Sequence, residues 1–177
     1  MSYFTVIIPL YNKENFVENT LKSIVNQTFS DYEVLIVDDC STDASLTKVQ
    51  PYLSDKIRII SHTKNSGLSA SRNTGIRNAK AQYVTFLDAD DTWKPTLLES
   101  FYNMLQQFPE QVIFATNYVE VYPNGKIVLP KNSSSDLKPN ETILIKDFFK
   151  RNKQQGFFIH SVIYLNHEIM RNNKLPK

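Results

Sequence analysis

Glycine is scarce in this 177-residue chain: Gly67, Gly75, Gly125 and Gly156 are the only four. Neither GxGxxG nor GxxxxGK[ST] can be written with them, so a dinucleotide-binding fingerprint and a Walker phosphate loop are both absent. Cysteine is scarcer still. Cys40 alone excludes an intramolecular disulfide, and with His62, His160 and His167 it offers none of the paired spacings of a structural zinc site. That usage fits a reducing, cytoplasmic setting. No apolar stretch approaches the roughly 18 residues of a membrane span, and the first of them, from Tyr3, has no basic segment before it and stops at Pro9. The chain is expected neither to enter a membrane nor to carry its own export signal.

What is present describes one ordinary globular core: 41% hydrophobic residues, 21% charged residues and a formal net charge of +2. Charge is unevenly divided. Residues 1–125 hold ten Lys and Arg against fourteen Asp and Glu, a balance of −4, which leaves +6 for residues 126–177. The basic charges of that tail stand singly rather than in blocks, the pattern of a solvated surface, and no nucleic-acid partner is expected.

Residues 4–9, Phe-Thr-Val-Ile-Ile-Pro, form a β-branched run ended by proline and read as a buried strand. From Glu14, the apolar residues Phe16, Val17, Leu21, Ile24 and Val25 fall at steps of three and four, one stripe of a helix. Strands at 33–37, 57–60 and 83–87 then alternate with helices at 44–53 and 66–79 and with one after Pro95, where Leu97, Leu98, Phe101, Leu105 and Phe108 keep helical spacing. The alternation predicts a largely parallel sheet with helices on both faces. Residues 111–122 and 127–129 flank Pro123-Asn-Gly-Lys126, a turn signal for a hairpin. Residues 131–142 read as a surface loop, 143–151 as a short helix, 156–165 as a strand, and His167 starts a further helix or turn.

In an open parallel sheet ligands bind beyond the carboxyl ends of the strands, and here those positions are polar. The first strand delivers Pro9, Tyr11 and Asn12; the second, Asp38 and Asp39; the third leads to Asn65 and Arg72; the fourth delivers Asp88, Asp90 and Asp91. Asp43 is explained as the cap of the helix that follows it, whereas Asp39 admits both a structural and a binding role. Asp88-Ala-Asp-Asp91 is the sharper signal. Like charges about 4 Å apart repel by about 4 kcal/mol at an effective dielectric near 20, and a helix cap, at about 1 kcal/mol, explains only one of the three. A divalent cation explains the crowding, and oxygen ligands with a phosphate partner point to magnesium or manganese. Residues 66–75 open a helix with small and hydroxyl side chains around Arg72, whose guanidinium suits a phosphate or pairs internally with Asp39 or Asp88.

Four motifs in order, Thr5-Val-Ile-Ile-Pro-Leu-Tyr-Asn12, Val37-Asp-Asp-Cys-Ser-Thr-Asp43, Asn65-Ser-Gly-Leu-Ser-Ala-Ser-Arg-Asn-Thr-Gly75 and Phe86-Leu-Asp-Ala-Asp-Asp91, together resemble the bacterial family-two glycosyltransferases. The resemblance spans residues 4–108. It implies the GT-A fold, a Rossmann-like three-layer α/β/α domain over residues 1–177 with a mostly parallel sheet and an added antiparallel hairpin. Residues 1–108 would be its nucleotide-binding half and 109–177 the start of its acceptor-side half. It also implies inverting transfer of a sugar from a nucleotide-diphosphate donor to a saccharide or lipid-linked acceptor, in the synthesis of a surface polysaccharide or glycolipid, with Mn2+ or Mg2+ as cofactor. By position, Pro9 and Tyr11 resemble the backbone and stacking contacts to the nucleobase, Asp39 the acceptor of the base N–H, Asn65 and Arg72 further nucleotide contacts, and Asp88 the ribose contact. Asp90 resembles the metal ligand of the DxD motif, with Asp91 behind it.

The resemblance also exposes a departure. The family's general base usually lies in a Glu-Asp pair after the region that residues 159–177 resemble, and this chain has no Glu-Asp dipeptide. Glu168, between His167 and Ile169, reads as a first-turn helix charge. The expectation is a nucleotide-binding portion whose base lies beyond Lys177. Three rivals are weighed against this. A phosphatase of the haloacid dehalogenase type would use Asp88-Ala-Asp-Asp-Thr92, but after a first strand and not a fourth. A sugar nucleotidyltransferase would carry a Gly-rich loop where Pro9-Leu-Tyr-Asn12 stands. A non-catalytic nucleotide-sugar binding module is compatible with the missing base. Finally, Phe148, Phe149, Phe157 and Phe158 alternate with Lys146, Lys150, Arg151 and Lys153, which reads as inward packing, as a lining of the acceptor side, or as peripheral association with the inner face of a membrane that carries a lipid-linked acceptor.

Overall fold

The computed structural model describes residues 2–109, 113–116, 119–122, 124–128 and the backbone of 161–165. Along the chain run β1 (Phe4–Leu10), α1 (Val17–Val25), β2 (Tyr32–Asp38), α2 (Ser45–Val49), β3 (Ile57–Ser61), α3 (Leu68–Asn78), β4 (Tyr83–Phe86), α4 (Leu97–Gln107), β5 (Ile113–Thr116), β6 (Glu120–Val121), β7 (Ile127–Val128) and β8 (Ser161–Leu165). Six strands form one sheet in the order β3-β2-β1-β4-β8-β5. The first four are mutually parallel, and β8 runs antiparallel to β4. The chain divides into two compact units, Met1–Phe114 with Ile163–Lys177, and Ala115–Val162.

The three layers follow from the period-two alternation of β1. Phe4, Val6, Ile8 and Leu10 face one way and pack with Val17, Leu21 and Ile24 of α1, Val49 of α2, and Leu98, Phe101 and Leu105 of α4. Ile7 faces the other way, with Leu35 and Val37 of β2, Val84 of β4, and Ile76 of α3. Because both faces are covered, β1 reads as an unbroken apolar run, and each large side chain fully buried in it contributes roughly 1.5–3 kcal/mol. Helix α3 lies close against β1 at Gly75, where a Cβ would stand 2.3 Å from Ile7 Cγ2.

The register opens a fork. β1 pairs with β2 from Phe4↔Tyr32 to Leu10↔Asp38, but with β4 only from Phe4↔Tyr83 to Ile7↔Phe86. Tyr3 and Ile7 present their carbonyls to the β4 side and Leu10 to the β2 side, so Pro9 turns its missing N–H toward the side where the ladder has ended. Proline therefore sits inside this central strand without removing a ladder bond, and the strand continues one residue past its predicted end. The fork between β1 and β4 is also where the strand order reverses, the position at which open α/β sheets form their crevice.

Other boundaries shift for equally local reasons. The helix predicted over 44–53 is α-helical only to Val49 and finishes as a 3-10 turn, Gln50–Tyr52, because Pro51 cannot continue the α-helical ladder. The helix predicted from Ser66 begins at Leu68. Phe16 and Val25, expected in the buried stripe of α1, are 50% and 45% exposed; Thr20 completes the buried face instead. The hairpin is present, shorter than predicted, as β6 and β7 around Gly125 at φ 78°. Of the strand predicted over 156–165, Ser161–Leu165 is β8. The loop over 131–142, the helix over 143–151, the aromatic and basic residues 146–158, and Glu168 lie outside the described residues.

Candidate nucleotide-sugar site

Two non-glycine residues of the left-handed region mark the loops beyond the fork, Asn12 at φ 50° after β1 and Cys40 at φ 65° after β2. The loops are laced together. Thr42 N–H donates to Asn12 Oδ1 at 2.8 Å, Lys13 N–H to Ser45 Oγ at 2.8 Å, Glu14 N–H to Asp43 Oδ2 at 3.0 Å, and Ala44 N–H to Glu14 Oε2 at 2.8 Å. Asp43 also accepts from Ser45 N–H at 2.9 Å, so it braces two loops just ahead of α2; the cap position itself, expected for Asp43, is held by Ala44 without a side-chain hydrogen bond. Its burial works to raise its carboxyl, but those hydrogen bonds outweigh it and hold the group below the usual carboxylate range.

Asp39 is 3% exposed, the most enclosed acid of the site after Asp38. His62 Nδ1 lies 2.7 Å from Asp39 Oδ1, Ser66 N–H donates to the same oxygen at 2.8 Å, and Gly67 N–H donates to Oδ2 at 2.7 Å. Burial pushes this carboxyl up, and the His62 hydrogen bond together with the two amides more than reverses that, leaving it below the ordinary value. An ionised carboxylate can only accept, so His62 Nδ1 carries a proton. The other ring nitrogen, Nε2, lies 2.9 Å from Thr74 Oγ1, which itself accepts from Arg77 Nη2 at 3.1 Å. The delayed start of α3 has its cause here, since the amides of Ser66 and Gly67 are turned onto Asp39 and Gly67 takes φ 87° to do it. Oδ2 keeps acceptor capacity for one further donor.

Beyond β4, Ala89 is buried in the core and its carbonyl accepts the hydroxyl of Thr20 at 2.9 Å. This inward anchor leaves its neighbours Asp88 and Asp90 on the open side, with side chains 35% and 41% exposed. Arg72 Nη2 donates to Asp88 Oδ1 at 2.9 Å, so of the two internal partners considered for this guanidinium it is Asp88 that is used. Arg72 Nε is buried without a hydrogen-bond partner, and the guanidinium lies 5.4 Å from the ring centroid of Phe86. Lys13 Nζ lies 2.6 Å from Asp90 Oδ2. Tyr11 is 45% exposed just beyond β1, and Asn65 is exposed in the loop before α3.

The fold thus gathers Tyr11, Asp39, Arg72, Asp88 and Asp90 at the carboxyl ends of the sheet, with Pro9 inside β1 beneath them. His62 and Lys13 are the members that their spacing in the sequence did not single out: a lone histidine at a strand end and a lone lysine in a loop carry no motif, and only the topology brings them to the carboxylates. Among the described residues no group of three His, Cys, Asp or Glu side chains is arranged to hold a metal ion by itself. A cation at Asp90 would therefore draw its remaining oxygens from phosphate and water, which is how magnesium is ordinarily held beside a nucleotide. A half-exposed carboxylate is the hard oxygen donor that such an ion takes, so Asp90 would supply one of its ligands.

The chain is similar to bacterial glycosyltransferases in sequence and in fold. The chain is 38% identical over 116 residues to the glycosyltransferase GlyA of Streptococcus pneumoniae, covering 64% of this chain and 16% of GlyA. It is 29% identical over 124 residues to WfgD of Escherichia coli, a UDP-Glc:alpha-D-GlcNAc-diphosphoundecaprenol beta-1,3-glucosyltransferase, covering 70% of this chain and 48% of WfgD. Residues 1–349 of Staphylococcus aureus TarS in complex with UDP-GlcNAc superpose with a TM-score of 0.79 at 25% identity, over 98% of this chain and 48% of that one. The chain spans less than half the length of each of these proteins. Its sequence matches glycosyl transferase family 2 over residues 5–172, and with the GT-A fold in place the chain belongs to that family.

Proposed function

We propose that the chain binds a nucleotide-diphosphate sugar in the fork between β1 and β4 and provides the donor side of an inverting, metal-dependent glycosyl transfer. The observation that carries this reading is Asp39: a buried carboxylate held ionised by His62, Ser66 and Gly67, with acceptor capacity left on Oδ2. A rigid acceptor of this kind selects a base edge that presents N–H, as uracil does, and Tyr11 beside it supplies an exposed ring for stacking. Asp88, fixed by Arg72, accepts from ribose hydroxyls, and Arg72, with its side chain 37% exposed, adds positive charge beside the nucleotide.

Asp90 would hold Mn2+ or Mg2+, which when bound supplies positive charge against the diphosphate as it departs. In the transfer a bond forms between the acceptor oxygen and the anomeric carbon while the bond from that carbon to the diphosphate breaks. The proton of the attacking hydroxyl goes to a carboxylate base that is none of Asp39, Asp88 or Asp90. The UDP-sugar held by TarS and the donor named for WfgD support a uridine nucleotide, and the WfgD name supports a lipid-linked saccharide acceptor. No helix among the described residues is long and apolar enough to cross a membrane; a cytoplasmic location, with peripheral association at the inner face, is part of the proposal. Calorimetric titration with UDP, and separately with UMP and ADP, in Mn2+ and in EDTA tests the reading. UDP is expected to bind most tightly and only weakly in EDTA; equal affinity for all three nucleotides would overturn the base assignment.

A further inference from the structure

Lys13 occupies a place that the proposed function gives to another cation. Its backbone is fixed, with its N–H on Ser45 Oγ at 2.8 Å and the next N–H on Asp43, while its side chain is 36% exposed. The ammonium stands 2.6 Å from Asp90 Oδ2 and 5.9 Å from the ring centroid of exposed Phe16. A fixed root and a free four-carbon stem make the charged head movable over several ångströms without any change of backbone. A divalent cation on the same carboxylate oxygen and this ammonium exclude one another by charge and by volume.

Four carboxylates of these loops and of α1 already have partners. Asp88 is engaged by Arg72, Asp43 by two amides, Glu14 by the Ala44 amide, and Glu18 by Lys22 and Lys48. The unmatched negative charge that arrives with the ligand is its diphosphate. We propose that Lys13 is an exchange residue: it neutralises Asp90 in the nucleotide-free protein, yields that carboxylate to the divalent cation, and then pairs with the diphosphate of the donor. The proposal rests on the assignment of Asp90 to the metal. Its consequence is a coupling between metal and nucleotide, since the same side chain opposes the first and favours the second.

The test is Mn2+ binding to the nucleotide-free protein, followed by UDP and uridine binding at saturating Mn2+, for wild type, Lys13→Met, Lys13→Arg and Asp90→Asn. An exposed ion pair is weak, so Lys13→Met is expected to bind Mn2+ about two- to fivefold more tightly than wild type. It should also bind UDP about tenfold more weakly, with uridine unchanged and Lys13→Arg close to wild type in all three. Unchanged Mn2+ affinity in Lys13→Met, with binding lost in Asp90→Asn, would overturn the exchange and leave the metal assignment standing. Mn2+ binding to Asp90→Asn at wild-type affinity would overturn both. Unchanged UDP affinity in Lys13→Met would overturn the transfer of the ammonium to the diphosphate.

Discussion

Asp39 and His62 meet at 2.7 Å across the ends of β2 and β3, and the far side of the imidazole is held at 2.9 Å by Thr74 of α3. Strand, strand and helix therefore fix one carboxylate oxygen between them. Removing the ring leaves Oδ1 with the Ser66 amide alone in an enclosed setting, and a buried polar group that loses a partner costs about 1–3 kcal/mol. His62→Ala is expected to weaken uridine and UDP binding about equally, by roughly tenfold. His62→Asn, which can still donate to Asp39, should recover part of that loss. Calorimetry on the three proteins checks it, with circular dichroism to establish that each is folded.

The depressed titration of Asp39 has a sign. A carboxyl held below its ordinary value of 3.8 adds stability that is complete above that value and is lost as pH falls through the lower folded value. Thermal melts of wild type between about pH 7 and pH 3 should fall on the acid side, and Asp39→Asn should flatten that part of the slope while being less stable near neutrality. A steeper acid slope in Asp39→Asn would contradict the assignment.

Arg72 presents one nitrogen to Asp88 and leaves Nε buried and unpaired. Lysine keeps the charge but not the planar fork, so Arg72→Lys should lose nucleotide affinity nearly as far as Arg72→Ala, about tenfold, with little change in melting temperature because the side chain is 37% exposed. Full retention of affinity by lysine would mean that only the charge matters.

Gly75 is where α3 touches β1. Its added Cβ would fall 2.3 Å from Ile7 Cγ2 and 2.9 Å from Ile7 Cδ1, well inside contact distance. Gly75→Ala should destabilise by about 1–3 kcal/mol, and the added cost should shrink in an Ile7→Ala background, which lacks all three clashing carbons. Denaturant unfolding of the four proteins measures both the loss and the coupling.

The core was legible because it is written in short-range pattern. Buried strands under two helical layers need continuous apolar runs, and α1 and α4 need a three-four stripe, so β1 to β4 and their helices could be read from residue spacing alone. Pattern does not report what a backbone amide is bonded to. The pattern starts α3 at Ser66, whereas the Ser66 and Gly67 amides serve Asp39, a residue 27 positions earlier for Ser66. Proline reads as a strand end, whereas its tolerance in β1 depends on how far β4 extends beside it. The carboxylates of the site announced themselves by crowding at strand ends; their partners did not. Lys13 and Asp90 are separated by 77 positions and His62 and Asp39 by 23, and nothing local in either stretch connects them.

The central claim is that a uridine nucleotide and a divalent cation occupy the fork between β1 and β4. The most direct measurement is a crystal structure of the chain grown with UDP and Mn2+, with the manganese located by its anomalous signal. The account predicts one manganese peak within bonding distance of an Asp90 carboxylate oxygen and of the diphosphate, and the uracil N–H on Asp39 Oδ2 with Tyr11 against the ring. Manganese away from Asp90, or a nucleotide bound elsewhere on the chain, would contradict it.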